Sequence, residues 1–368
     1  MSQNRDRAPV LSRRALNRTL LARQHLLERT GAFSSGQMLE HLLGMQAQEP
    51  QAPYVGLWNR IDGFEPERLS ELVAERAAVR GSLMRCTIHL VTARDYGRLW
   101  PLMAPVLARG FRGSPFSKQL AGVDLETLVR TGRAHLAERP STRAELGRAL
   151  ARRWPDADAA SLATAINMLC PVIQQPPRGL WRRGGQARCT TADGWLGVEL
   201  DAVPDAAGLV RRYLSAFGPA SVADLQAWSG LTRLRAAFEE LRPSLRTFAT
   251  EDGTELFDVP DAPLADPDAP APPRLLAPFD NVILAHGDRG RIIDAEHRTT
   301  IFGDRLMRAF LIDGFVAGTW RLSDDALALV PIRRLARADR AALIAEAERL
   351  LDFVRPDRPR PPVRVVYD

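Results

Sequence analysis

The chain has 368 residues, 45% of them hydrophobic and 26% charged, a composition that is typical of globular proteins and excludes wholesale disorder. No apolar run reaches the roughly 18 residues that a transmembrane helix needs, and the N-terminal MSQNRDRAPVLSRR lacks the apolar core of a secretory signal. We therefore expect a cytoplasmic protein. Cys86, Cys170 and Cys189 are widely spaced, which argues against a disulfide framework or a structural zinc site.

The basic residues are almost all arginines. Lys and Arg number 50 against 44 Asp and Glu, which gives a net charge of +6, and Lys118 is the only lysine. A high-GC genome that favours Arg codons explains most of this ratio. Phosphate binding is the functional alternative, because the guanidinium fork pairs with phosphate oxygens bidentately. A net charge of this size matters for nucleic acid only if it is clustered on one face.

One pattern of helices and strand-like runs begins near the N-terminus. Residues 12–30 and 65–79 have helical spacing, and a second helix between them starts at Ser34 or Ser35 as N-cap. GSLMRCTIHLVT (81–92) follows as a strand-like run.

The pattern recurs twice. In the second copy, Ser141 or Thr142 forms a capping box with Glu145, and strand-like GLWRR and ARCTT flank Gly184-Gly185. In the third copy, Thr232 is the expected N-cap of a helix over RLRAAFEEL, and a hairpin turns at Asp252-Gly253. We predict an α+β protein with three tandem winged helix-turn-helix units at residues 10–120, 121–203 and 204–260. The alternative is a generic α+β protein whose helices happen to have this spacing.

The pattern changes after residue 260. Residues 261–273 are rich in Pro, Ala and Asp and predict a linker or an extended crossing segment. Short β-like runs within 274–368 predict a small antiparallel sheet or β-barrel, followed by an amphipathic helix at 338–354. Within this part, VILA and RII predict a hairpin over 282–293 whose tip is HGDRGR.

Familiar catalytic patterns are missing from the sequence: there is no dinucleotide-binding fingerprint, P-loop, GxSxG or HExxH motif. The stretch GMQAQEPQAPYVGLWNR (44–60) is more informative, because Gln46 and Gln48 flank Ala47 where helical periodicity stops. In an extended backbone, side chains two residues apart point the same way, so two carboxamides would converge. The alternative is that both are ordinary polar groups at a helix end.

The chain resembles winged-helix DNA-binding proteins that include the AlkZ-type bacterial DNA glycosylases. LSRRALNRTLLARQHLL, LLGMQAQEPQAPYVGLWNR, RCTIHLVTARDY, PFDNVILAHGDRGRI and DGFVAGTW carry the resemblance, from residue 11 to about 320. It implies three winged helices followed by a β-barrel, and excision of bulky alkylated bases with unhooking of interstrand crosslinks. The Gln-aliphatic-Gln motif of the family falls on Gln46-Ala47-Gln48. The YcaQ-type branch has Asp at the second position, so Gln48 favours the branch associated with self-resistance to azinomycin-like alkylators.

Two glutamines suit a substrate that is already activated. Glutamine has no usable pKa and cannot act as a general base. N7-alkylation places a fixed positive charge on a purine, so the base leaves neutral and the enzyme mainly positions the reactants. We expect Gln46 and Gln48 to hold a water against C1′ and to stabilise the positive sugar through their dipoles. No cofactor and no metal are needed.

The remaining predicted contacts are to double-stranded DNA carrying alkylated or crosslinked purines. A hairpin tip with basic side chains is suited to a nucleic-acid groove, although turns are commonly polar without any function. Arginines on the first helix and on the wings are candidates for phosphate contacts, which fix register without reading sequence. The predicted DNA- and lesion-binding residues are His286, Asp288, Arg289, Arg291, Arg85, His89, Arg13, Arg14, Arg182 and Arg183; Arg18 and Arg188 are further phosphate candidates.

The favoured function is a monofunctional DNA N-glycosylase that acts as a monomer at the nucleoid. Lys118 is the only lysine and does not lie near the Gln motif in the sequence, so lyase chemistry through a lysine Schiff base is not expected. The first alternative is a non-enzymatic winged-helix transcriptional regulator, although the sequence shows no evident dimerisation segment. The second is a protein that sequesters an alkylating drug.

Overall fold

The computed structural model describes residues 8–197, 200, 203–303 and 308–367, except the side chain of Thr300. The first seven residues, on which part of the signal-peptide prediction rests, lie outside this range. Within it, no helix is long and apolar enough to cross a membrane. The described residues form a mixed α+β fold with three sheets, which confirms the predicted class.

The first segment starts with two helices that have side-chain N-caps. Ser12 Oγ accepts a hydrogen bond from the Ala15 amide, and Ser34 forms a capping box with Gln37, so Ser34 rather than Ser35 is the cap. The elements are β1 (Val10–Leu11), α1 (Arg13–Arg23), α2 (Ser35–His41), β2 (Met45–Gln46), α3 (Ala52–Trp58), α4 (Pro66–Ala74), β3 (Ala78–Ser82), a 3-10 turn (Met84–Cys86), β4 (Ile88–Thr92), α5 (Ala93–Arg112) and α6 (Pro115–Lys118).

The second segment confirms one predicted cap and corrects one predicted strand. Thr142 and Glu145 form the capping box. GLWRR is not a strand. The predicted strand ARCTT pairs instead with residues 172–175. This pairing ends at Gln175 because the next two residues, Pro176 and Pro177, have no N–H to donate. The elements are α7 (Leu125–Glu138), β5 (Ser141–Thr142), α8 (Arg143–Ala151), α9 (Ala159–Leu169), β6 (Val172–Gln175), β7 (Arg188–Thr191) and α10 (Ala192–Leu196).

The third segment confirms the turn at Gly253, which has φ +84°. The predicted cap at Thr232 is wrong: the helix begins at Arg235 without a side-chain cap at Leu234, whose amide instead donates to Gln226 Oε1 at 3.1 Å. The elements are α11 (Ala206–Phe217), α12 (Val222–Ser229), α13 (Arg235–Leu241), a 3-10 turn (Arg242–Ser244), β8 (Arg246–Thr250) and β9 (Glu255–Asp258).

The three segments share sheets. The largest sheet has the order β2-β4-β3-β6-β7-β5, in which β3 of the first segment pairs antiparallel with β6 of the second. Strand β1 pairs parallel with β8 of the third segment. Backbone hydrogen bonds therefore join all three segments, and the assignment of each to a winged helix stays a prediction.

The C-terminal segment forms an open sheet. Its strand order is β10-β11-β12-β13-β14, and among the described residues the first and last strands do not pair, so the predicted barrel is not closed. The predicted C-terminal helix is present and covers this sheet. The elements are β10 (Arg274–Leu275), α14 (Asn281–Leu284), a 3-10 turn (Ala295–His297), α15 (Arg298–Gly303), β11 (Ala309–Ile312), β12 (Phe315–Leu322), β13 (Leu327–Pro331), α16 (Arg337–Val354) and β14 (Val363–Val365).

The predicted hairpin over 282–293 is wrong in its secondary structure. Residues 281–284 form one helical turn, because the Asp280 carboxylate accepts from the Val282 amide as an N-cap. The same carboxylate makes a fully buried ion pair with Arg60 at 2.7 Å, and Asn281 donates to the carbonyl of Gly44 at 2.9 Å. These bonds fix the C-terminal segment against the start of the Gln-Ala-Gln motif.

Residues 261–273 pass over the first helix and contain neither a helix nor a strand. The carbonyls of Pro267 and Ala269 accept from Arg14 and Arg18 at 2.9 and 2.8 Å, and the Ala265 amide donates to Thr19. Arg18 is completely buried under this segment, so its predicted role as a phosphate contact is wrong.

Candidate functional site

The Gln-Ala-Gln motif lies on an edge strand. After α2 the backbone passes through the left-handed region at Leu43 and Gly44. A Cβ on Gly44 would lie 2.3 Å from Val91 Cγ1 and 2.8 Å from the carbonyl of Leu90, so only glycine fits. The chain then enters β2, the outermost strand of the six-stranded sheet, where Gln46 pairs with His89.

Both backbone groups of Ala47 are anchored. Its amide donates to the carbonyl of Ile88 at 2.7 Å, and its carbonyl accepts from Arg80 Nη2 at 2.8 Å. The side chain of Ala47 is buried. The backbone between the two glutamines therefore has little freedom to move.

The two carboxamides contact one short segment of the chain. Gln46 is buried, and its Oε1 accepts from Arg85 Nη2 at 3.0 Å. Gln48 is exposed, and its Oε1 accepts from the Ile88 amide at 3.3 Å. Each carbonyl oxygen has a second lone pair that these bonds leave open. Gln46 is thus held inside the edge of the sheet, and Gln48 faces solvent beside it.

Arg85 connects Gln46 to the third segment. Its guanidinium also donates to the carbonyl of Trp228, near the C-terminal end of α12, where the helix dipole is negative. Burial, together with the smaller effect of the nearby charge of Arg289, lowers the pKa of Arg85 to about 10. Arg85 and Cys86 both have left-handed backbones, with φ of 53° and 62°. Such strain costs about 1–3 kcal/mol per residue and clusters at functional sites.

His89 is buried next to this centre. Its Nδ1 lies 3.0 Å from the carbonyl of Thr87, and burial, followed by the charge of Arg85, lowers its pKa to about 3. His89 is therefore neutral near pH 7. A completely buried side chain does not contact DNA directly, so in this structure His89 supports the strand opposite Gln46.

Two of the predicted tip residues are buried. His286 Nε2 lies 3.1 Å from the carbonyl of Phe217, and Arg291 donates to the carbonyl of Pro219 at 2.9 Å. Asp224 lies 3.9 Å from Arg291 and accepts from the Gly287 amide. Burial lowers the pKa of His286 far below its usual range, so it is neutral. These side chains attach the loop to the third segment instead of projecting from it.

Asp288 and Arg289 are the more accessible part of the loop. Asp288 is exposed and pairs with Arg298 at 2.9 Å. Arg289 is half-buried, with its guanidinium 4.2 Å from the centre of the Phe302 ring. No described carboxylate lies within ion-pair distance of Arg289 or Arg85. Two guanidinium groups without a neutralising acid therefore lie near Gln46.

The four predicted arginines on the surface have different surroundings. Arg13 pairs with Asp294 at 2.6 Å, Arg14 pairs with Asp313 at 2.7 Å, and Arg182 pairs with Asp357 at 2.7 Å. Arg183 is exposed, and no described carboxylate pairs with it. Arg188, a further candidate, is held by Glu145 and by the carbonyl of Pro140.

Sequence reasoning missed Arg80. It is buried on β3, its Nη2 supports Ala47, and its Nε and Nη1 have no partner among the described residues. Burial lowers its pKa to about 10. Gly179 (φ +98°) packs against it, and a Cβ there would lie 2.6 Å from Arg80 Cδ. The only available signal was a cationic residue in the otherwise apolar run AVRGS. Among the described residues, no group of three or more His, Cys, Asp or Glu side chains could hold a metal ion.

The chain is similar to known DNA repair enzymes. An interstrand DNA cross-link repair glycosylase from Streptomyces sahachiroi is 25% identical over 354 residues, which cover 89% of this chain and 92% of that protein. The solved structure of Streptomyces sahachiroi DNA glycosylase AlkZ matches the fold with a TM-score of 0.81 at 23% identity, covering 97% of this chain and 100% of that one. The family model described as DNA glycosylase AlkZ-like matches residues 39–353, a range that includes the Gln-Ala-Gln motif. The chain therefore belongs to the AlkZ-like DNA glycosylase family.

Proposed function

We propose that this protein hydrolyses the N-glycosidic bond of N7-alkylated purines in duplex DNA, including purines that form interstrand crosslinks. The observation that carries the proposal is the pair Gln46 and Gln48, held at a sheet edge by Arg85 and by the Ile88 amide. The similarity to a cross-link repair glycosylase supports the substrate class.

The cationic base makes a neutral pair of side chains sufficient. The leaving group needs no proton, so the remaining tasks are to place a water and to stabilise the positive sugar. The open lone pairs of Gln46 Oε1 and Gln48 Oε1 would accept from that water on the face of the sugar opposite the base. Carboxamide dipoles fixed in this way need little reorganisation during the reaction.

Arg85 has two tasks in this proposal. It orients the carboxamide of Gln46, and with Arg289 it provides positive charge for a backbone phosphate next to the damaged nucleotide. A phosphate between these groups would neutralise cations that otherwise disfavour a positive sugar. His286 and Arg291 act indirectly, by holding the loop that carries Arg289.

The proposed enzyme is monofunctional. Lys118, the only lysine of the chain, is exposed on α6, and a Schiff-base lyase needs a lysine at the reacting sugar. A Gln pair that positions water leaves an abasic site as the DNA product. The family membership favours this function over a transcriptional regulator.

The test is release of free base from a duplex with a single N7-methylguanine under single-turnover conditions. We expect free N7-methylguanine and an intact abasic strand, with no protein–DNA adduct trapped by borohydride. An unmodified duplex of the same sequence is the control. Failure to release any N7-alkylated purine, small or crosslinked, would overturn the proposal, and borohydride trapping would overturn the monofunctional mechanism.

A further inference from the structure

A second basic surface lies at the start of the C-terminal helix, outside the predicted site. The segment RRLARADR (333–340) contains Arg333, Arg334, Arg337 and Arg340, and all four side chains are exposed. None of the four guanidinium groups makes an ion pair or a hydrogen bond with a residue that the structure describes. Many other exposed arginines of the chain, such as Arg68, do pair with a carboxylate.

Three of these arginines, Arg334, Arg337 and Arg340, line a groove of about 520 Å³. Leu335, Ala341 and Ile344 provide its apolar lining, and Tyr367 from the chain after β14 also lines it. No acidic side chain lines it. An apolar lining beside cationic side chains fits an elongated anion whose charges lie along its edge.

The helix terminus adds to the positive potential. Helix α16 begins at Arg337 with Ala336 at the N-cap, and no side chain caps its first amides. Uncapped amides at the N-terminus of an 18-residue helix attract anions, and cations in the first turn are unfavourable unless an anion is bound. Asp339 is the only acidic residue of the first turn.

The groove shares Arg334 and Leu335 with a second cavity, which His297 also lines. Arg289 lies over the Phe302 ring in α15, and His297 directly precedes this helix. This second cavity, of about 270 Å³, is lined by Arg333 and Arg334 and also by Asp294 and Asp339, of which Asp294 is paired with Arg13. A duplex held near Arg289 would therefore have a neighbouring basic surface to follow.

From these observations we infer that the groove of Arg334, Arg337 and Arg340 binds the phosphate backbone of the same duplex, away from the damaged base. The inference rests on the proposed function for the identity of the anion. Phosphate contacts of this kind would increase the affinity for long duplexes and would leave the chemical step unchanged.

The test uses Arg334→Gln/Arg337→Gln/Arg340→Gln and a matched control, Arg68→Gln/Arg130→Gln/Arg235→Gln. The control removes the same charge from exposed helices where each arginine already has a carboxylate partner. Binding to undamaged duplexes, extended stepwise from a short one, is measured over a range of salt concentrations, and excision is measured at saturating enzyme.

We expect the affinity of the wild type to increase with duplex length. The groove variant should match the wild type on short duplexes and bind the longest duplexes more weakly. On long duplexes its slope of log Kd against log salt should fall by about 2 to 3 relative to the wild type, while the control stays close to it. An unchanged slope, an equal fall in the control, or an equal loss of affinity on short and long duplexes would overturn the inference. Because binding is measured on undamaged DNA, failure of the glycosylase proposal would show separately as absent excision.

Discussion

Arg85→Met tests whether the arginine positions Gln46. The variant removes the donors to Gln46 Oε1 and to the carbonyl of Trp228 and keeps an unbranched apolar stem in place of that of arginine. The pKa of Arg85 is about 10 instead of 12.5, so holding its charge in the folded protein costs about 3 kcal/mol. Hydrogen bonds from a charged donor contribute about 1.5–3 kcal/mol each.

These opposing contributions partly cancel in the folded state. We expect the free energy of unfolding to fall by no more than about 3 kcal/mol. Excision should respond differently, because the carboxamide of Gln46 loses the bond that fixes its orientation. Losing one such bond from the transition state slows the reaction roughly 10- to 100-fold.

The assay is single-turnover excision at saturating enzyme, which separates the chemical step from DNA affinity, together with thermal unfolding. Arg109→Met is the matched control, because Arg109 donates to the carbonyl of Gly230 at the same end of α12 and does not contact Gln46. We expect the control to excise at the wild-type rate. Wild-type excision by Arg85→Met, or an equal loss in both variants, would refute the positioning role.

Three further predictions concern the surroundings of the motif. Gln48→Asp should retain activity, because a carboxylate at this position supplies a stronger field for the positive sugar; a loss as large as that of Gln48→Ala would contradict this reasoning. Gly44→Ala should lower the free energy of unfolding by about 1–3 kcal/mol, because its backbone is left-handed and the new Cβ would lie 2.3 Å from Val91 Cγ1. Chemical denaturation measures this free energy, and a change smaller than about 0.3 kcal/mol would contradict the clash. His89 has a folded pKa of about 3, below its unfolded value, so its contribution to stability is complete above pH 6.5 and is lost as the pH falls towards 3. Between pH 7 and 5 the free energy of unfolding should fall by about 2 kcal/mol because of His89. In His89→Gln the free energy of unfolding should depend less steeply on pH, and an equally steep dependence in the variant would contradict this prediction.

The sequence predicts best those features that depend on interactions between residues close together in the chain. Ser34 and Thr142 have a partner three residues later, and the hydrogen bonds of a capping box close within one helical turn. The turn at Gly253 is equally local. Spacing alone singles out Gln46 and Gln48 but also allows an ordinary helix end, and the resemblance to a family favours the functional reading.

The errors arise where distant segments meet. The run VILAHGDRGRII has the polarity of a hairpin, and its outcome depends on Asp280 as a cap paired with Arg60, which lies 220 residues away in the sequence. Polar residues of this loop face inward because Asp224 and the carbonyls of Phe217 and Pro219 provide partners there. Arg80 could not be recognised for the same reason, since its role depends on the position of Ala47 across the sheet.

In the proposed mechanism Gln46 and Gln48 together carry the reaction. Their role is tested by comparing the wild type with Gln46→Ala/Gln48→Ala in single-turnover release of N7-methylguanine from a duplex, with binding of the same duplex and thermal unfolding measured in parallel. The proposal predicts that the double variant stays folded, binds the duplex and releases no base above the spontaneous rate. Full excision by the double variant would contradict it.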